Sequence, residues 1–241
     1  TAIIAVSYPA MSSAYTREKS ADMIKMVNSW SGVMLFVVAP ISLILAFLSY
    51  PLVQVIFERG AFSSDATGAT AGALLYYSIG LPFVAWGRFL ARVFYTIHDS
   101  RTPVFIAVAV TFINIIFCLV LVKPMGHCGL ALSSTLSAAA GVPLTLFCLK
   151  SKTGNVFNKR MLKKVILIAV ATAVAGLTMI IISAAIGDVG QKSFYSNFCC
   201  LILIGGAGMA SYFFSARFLK LEEAAILLTI LKKCSLTKGG A

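Results

Sequence analysis

Six apolar stretches, each about twenty residues long, dominate this chain and limit what it can become. They run over 26–49, 69–91, 103–122, 128–149, 165–186 and 195–218, with charged corners between them. A helix rising ~1.5 Å per residue crosses ~30 Å of bilayer hydrocarbon in about twenty residues, the length that recurs here. One oversized soluble core would not divide its apolar residues into blocks of a single length. None of the blocks alternates polar and apolar residues as a membrane-barrel strand must. Composition agrees: 59% of the 241 residues are hydrophobic, 12% are charged and the mean hydropathy is +0.94. Soluble domains carry about 25% charged residues. The sequence predicts an all-α polytopic membrane protein with six full spans.

The chain opens on "TAIIAVSYPAMSSAY", an apolar run too short to span. It lacks the basic lead-in of a secretory signal and reads as the end of a seventh helix that begins upstream. On that reading the chain is part of a larger protein.

Charge decides which way the spans run. Arg17, Lys19 and Lys25 precede the first block; Arg88, Arg92 and Arg101 flank the second corner on that side. Lys150, Lys152, Lys159, Arg160, Lys163 and Lys164 fill the next, and Arg217, Lys220, Lys232, Lys233 and Lys238 end the chain. Those corners hold 17 of the 20 basic residues, and the opposite corners only Arg59, Lys123 and Lys192. Cytoplasmic loops retain Lys and Arg, so the rich side, including the C-terminus, is predicted to be cytoplasmic. The net charge of +12 is thereby accounted for without nucleic acid, since no basic face interleaved with aromatics exists.

The corner "GRFLARVFYTIHDSRTPVFIAV" (87–108) has the chemistry of a helix start. Thr102 is the expected N-cap and Pro103 the expected first helical residue, with Asp99 near the positive end of the helix dipole. Arg92 lies at the membrane edge, where its stem can snorkel. Arg88, about a turn deeper, either reaches the interface or lines a polar cavity.

Within the blocks, Pro40, Pro82 and Pro143 each remove a backbone donor. Such kinks suit either a protein that rocks between two shapes or fixed packing bends. Ser133, Ser137 and Gly141 share a helix face, and "IGGAGMAS" (204–211) adds small residues of the kind that let helices approach closely. None of the eight acidic residues falls at a span centre, so no buried carboxylate relay of an ion-coupled carrier is predicted. Asn114 with Ser133, Ser134 and Thr135 offers neutral oxygens, either to a cation or to interhelical hydrogen bonds. The six cysteines form no CxxC pair and no metal spacing; a disulfide near the outer ends, for instance Cys128 with Cys199, is allowed but not expected. His98 and His127 fall on opposite sides of the membrane, and no phosphate-cradling glycine loop is present. Neither a catalytic constellation nor a metal site is predicted.

The run from Val55 to Val104 resembles the MurJ/MviN family of bacterial lipid II flippases. Phe57, Arg59, Gly60 and Phe62 match its outer-loop pattern, and Phe94, Tyr95, Asp99, Thr102 and Pro103 match its Phe-Tyr…Asp…Thr-Pro corner. "GHCGLALSSTLS" (126–137) and "YPAMSSAY" (8–15) resemble a later outer turn and the end of the family's eighth helix.

The resemblance implies the fold of the multidrug/oligosaccharidyl-lipid/polysaccharide exporter superfamily, in which two lobes of six helices face each other. Residues 1–150 would be most of the C-terminal lobe, from the end of helix eight through helix twelve. Residues 151–241 would be two appended helices and a cytoplasmic tail. The implied function is moving lipid II, an undecaprenyl-pyrophosphate-linked peptidoglycan precursor, from the cytoplasmic to the outer leaflet of the bacterial inner membrane by alternating access. The alternative is another exporter of the superfamily, for drugs or other lipid-linked sugars. Either is a transporter rather than an enzyme, without a cofactor. Its partners would be lipid II, membrane lipids, the N-terminal lobe and cell-wall synthesis machinery. The family's cavity arginines lie outside this sequence, which leaves Arg88 and Asn114 as candidate cavity residues. Some members bind sodium through acids and amides in this lobe; Asn114 matches an amide, but Cys118 stands where the acid would be.

The charge bias generates a direct test. Asn155→Cys, in an otherwise cysteine-free full-length protein, should react with a membrane-impermeant thiol reagent only after cells are opened. Labelling from outside intact cells would overturn the topology.

Overall fold

The computed structural model describes residues 20–58, 62–154, 156, 158–186, 194–219, 221 and 223. The opening run and the Arg59–Gly60 pair of the outer-loop motif lie outside the described residues. Seven helices are described: α1 (Ser20–Phe47), α2 (Ser49–Phe57), α3 (Ser64–Thr96), α4 (Arg101–Met125), α5 (His127–Thr153), α6 (Lys159–Ile186) and α7 (Phe194–Phe218). All but α2 are long and apolar enough to cross a membrane. The six expected spans are therefore present, and each helix begins before its apolar block does.

The nine-residue α2 was not foreseen. It continues the direction of α1 through Leu48, whose N–H still reaches Ile44 O at 2.9 Å. Pro51 explains the interruption, because its missing N–H frees the carbonyl of Phe47, four residues back. Elsewhere the corners are tight. Gly126 turns α4 into α5 with φ 55°, a left-handed conformation that glycine adopts without a Cβ penalty.

The most extensive contacts join α3 to α5, α4 to α5, and α1 to α3. The pair α6–α7 packs on itself and meets the rest mainly through α1, with α2 touching α7. A continuous core runs through α1, α3, α6 and α7, built on Val27, Phe36, Phe89, Leu90, Phe94, Ile168 and Tyr212. Phe105, Phe112, Ile116 and Leu119 of α4, by contrast, are all exposed, as are Ile181, Phe214 and others on α6 and α7. Apolar patches of that extent are rare on soluble monomers and suit a lipid-facing surface.

Lipid is as apolar as the core, so helix association here rests on close packing and interhelical hydrogen bonds. The small-residue stripes supply the packing. A Cβ on Gly141 would lie 2.9 Å from Val110 of α4, one on Gly80 would lie 2.5 Å from Thr135 of α5, and one on Gly208 would lie 2.7 Å from Met179 of α6.

The prolines supply the hydrogen bonds. Pro40 frees the carbonyl of Phe36, and the hydroxyl of Tyr212 on α7 donates to it at 2.9 Å. Pro82 frees the carbonyl of Ser78, and Ser42 of α1 donates to it at 2.6 Å. All four residues are buried. At these two prolines each bend is fastened to a neighbouring helix. Pro143 lies on an exposed face of α5.

Two sequence expectations are corrected. Arg101 and Thr102 are already helical, so Thr102 is not the N-cap of α4 and Pro103 is its third residue. Capping falls to Asp99, because a carboxylate two residues before the helix reaches two of its free N–H groups. Cys128 and Cys199 are both free thiols, in line with the disulfide between them not being expected.

The proline geometry yields a prediction. Tyr212→Phe should destabilise the protein by about 1 kcal/mol, because a buried carbonyl loses its donor. In a Pro40→Ala background, where residue 40 regains its own N–H, the cost should fall toward zero. Equal costs in both backgrounds, measured by unfolding in micelles, would refute the pairing.

Candidate functional site: a cavity between three spans

α3 and α4 barely touch, while α5 packs extensively on both. That splay leaves a cavity of ≈ 480 Å³ with α5 as its floor. α3 contributes Phe83, Gly87 and Arg88; α4 contributes Val110, Thr111 and Asn114; α5 contributes Ser134, Ser137, Gly141 and Thr145. The two expected cavity residues, Arg88 and Asn114, thus stand in one pocket. Arg88 is exposed on its wall. A permanently charged, planar guanidinium among hydroxyls and apolar walls is suited to pairing with phosphate.

Asn114 binds α5 rather than standing free. Its amide donates to Ser137 Oγ at 3.1 Å and to Ser134 Oγ at 3.5 Å. Its carbonyl oxygen accepts from Cys118 Sγ at 3.6 Å, and that thiol lies 2.9 Å from Ser133 Oγ. Ser133 and Ser137 also donate to carbonyls of their own helix, at Leu130 and Ser134. Thr135 turns away to α3, donating to Tyr76 O at 2.6 Å. Of the four residues grouped around Asn114, three therefore gather and one does not. This set is a poor sodium site. A hard cation requires oxygen donors, usually with a carboxylate among them. Here Cys118 offers a thiol, and the serine hydroxyls already donate to carbonyls of their own helix.

The signature residues mostly build turns. Phe94 is fully buried in the core. His98 takes φ 58°, with its N–H on Tyr95 O and the Asp99 N–H on Phe94 O, a Schellman ending for α3. Asp99 Oδ1 then accepts from the N–H groups of Arg101 and Thr102, both at 3.1 Å. Its Oδ2 pairs with Lys152 in the last turn of α5. The Lys152 hydrogen bond, followed by those from Thr102, holds the Asp99 carboxyl far below the usual range. One carboxylate thus caps α4 and clamps α5 at the same membrane surface. At the opposite end, Phe57 and Phe62 stack at 6.1 Å across their loop, and Thr67 donates to Glu58 Oε2 at 3.0 Å.

Thr111 and Thr145 were missed as cavity residues. Thr145 extends the stripe of Ser137 and Gly141 by one more i+4 step, and Thr111 sits one turn before Asn114, so spacing could have found both. Nothing local points to Tyr212 or Ser42 as carbonyl donors, since their partners are 176 and 36 residues away.

Fold and site define a multi-pass membrane protein of six spans, with a largely apolar pocket between three of them that carries a few polar side chains. The model of the family described as lipid II flippase MurJ matches residues 1–200, and the chain belongs to that family. A probable lipid II flippase MurJ of Thermotoga maritima is 28% identical over 225 residues, 93% of this chain and 44% of the relative. A lipid II flippase MurJ of Thermosipho africanus is 32% identical over 56% of this chain and 29% of its own. The chain thus spans less than half the length of these relatives. A solved structure described as lipid II flippase MurJ in an inward closed conformation shares the fold with a TM-score of 0.67 at 24% identity, covering 90% of this chain and 45% of that one.

The donor chemistry can be tested. Cys118→Asp adds a carboxylate beside Asn114 and Ser133, and should make thermal stability rise on exchanging potassium for sodium. The parent protein should show no such difference; a sodium-dependent rise in the parent would contradict the donor argument.

Proposed function

We propose that this chain is the C-terminal lobe and two appended helices of a lipid II flippase. In that role it carries an undecaprenyl-pyrophosphate-linked disaccharide-pentapeptide from the cytoplasmic to the outer leaflet. The observation that carries the reading is the family match over residues 1–200 joined to a charged, hydroxyl-lined cavity inside an otherwise lipid-facing bundle. A pyrophosphate headgroup cannot enter hydrocarbon without large desolvation cost, so its passage requires a polar cavity opening to each side in turn. The apolar tail can remain in lipid throughout.

On this reading residues 1–150 form the lobe that faces an N-terminal partner lobe across the cavity, and 151–241 form the added helices and tail. Arg88 offers a fixed positive charge to the pyrophosphate, while Asn114, Ser134 and Ser137 line the path with neutral donors. The protein sits in the bacterial inner membrane with its C-terminus cytoplasmic, where the precursor is supplied, and hands its cargo to cell-wall synthesis machinery outside. Two rigid lobes moving against each other fit the fastened proline bends better than hinging within a helix does.

The test is complementation. The full-length protein should restore cell-wall synthesis in cells depleted of their own flippase. Arg88→Ala should lower the rescue about tenfold or more, and Arg88→Lys less, as expected for loss of a phosphate contact. Normal membrane insertion without rescue would count against the reading; rescue indifferent to Arg88 would remove that residue from the cavity's chemistry.

A further inference from the structure

Five residues beyond the end of α7, Glu223 is completely buried. Its carboxylate lies 2.5 Å from Lys164 Nζ near the start of α6, and the lysine side chain is itself only 12% exposed. It also fills the space beside Gly32 of α1, where a Cβ would stand 2.6 Å from Glu223 Oε1. The chain is steered there by Leu221, which is buried in the core and whose N–H closes back on Ala216 O at 3.1 Å. One side chain therefore ties the segment after α7 to both α1 and α6.

The location has a consequence for the second cavity. A groove of ≈ 520 Å³ lies between α1, α3 and α6, lined by residues including Leu35, Trp86 and Val165 at one end and Ala46 and Gly176 at the other. Gly32 lies one helical turn before Leu35, and Lys164 directly precedes Val165. The pair thus sits at one end of the groove, where α1 and α6 are drawn together.

The energetics favour a contact that can open. Burying two charges costs nearly what their attraction returns unless further hydrogen bonds complete the carboxylate. Neither Glu223 oxygen receives a further hydrogen bond from a described residue. Both partners stand at the edge of the spans, so release would return them to water rather than to lipid. Two states close in free energy follow.

We propose that Glu223 and Lys164 form a releasable clasp by which the segment after α7 holds α6 against α1 and closes one end of the α1–α3–α6 groove. The clasp does not depend on which substrate the protein carries. Its test uses thiol labelling of the full-length protein in membranes, with native cysteines replaced and a single reporter at Leu221→Cys or Val165→Cys. Glu223→Gln and Lys164→Met should each raise labelling at both reporters about tenfold. The reversed pair Lys164→Glu with Glu223→Lys should return it toward the parent rate. Gly32→Ala keeps both charges but removes the seat, and should open the clasp even if a charge variant fails to accumulate. Parent-like labelling of Gly32→Ala at both reporters would overturn the proposal. So would a reversed pair that labels as fast as the single variants.

Discussion

A bilayer interior offers no water to a backbone carbonyl, and much of this structure follows from that. Each proline inside a span removes one N–H and leaves the carbonyl four residues earlier without its partner. Tyr212 answers the carbonyl that Pro40 frees, and Ser42 answers the one that Pro82 frees. The same two bonds fasten α7 to α1 and α1 to α3. A local defect in each helix thereby becomes the attachment point between helices, in a solvent that gives helices little other reason to associate.

The cavity arises from what is left unpacked. α5 approaches α3 at Gly80 and α4 at Gly141, and these contacts leave α3 and α4 splayed apart above it. Hydroxyls on the cavity floor are partly spent on their own helix, as at Ser134, Ser137 and Thr145. Asn114 is spent on bridging to α5. Among the described residues lining this pocket, Arg88 alone carries a permanent charge.

The family signature is largely a record of turn chemistry. Phe94, His98, Asp99 and Thr102 end one span and start the next within a few residues, and Lys152 draws the following span to the same point. The expected cap at Thr102 shows how such a reading slips. Both Asp99 and Thr102 can cap a helix, and the choice depends on where the chain leaves α3, which His98 sets through its left-handed backbone.

Block length was sufficient to predict the spans, because crossing hydrocarbon is a local constraint. The small-residue stripes and the identity of the freed carbonyls were legible too, since each follows from a fixed helical offset. Which hydroxyl meets each carbonyl was not, nor was the pairing of Glu223 with Lys164. Those depend on which helices become neighbours. In a membrane that choice is made by shape and hydrogen bonding between residues far apart in the chain, and only the folded structure holds them together.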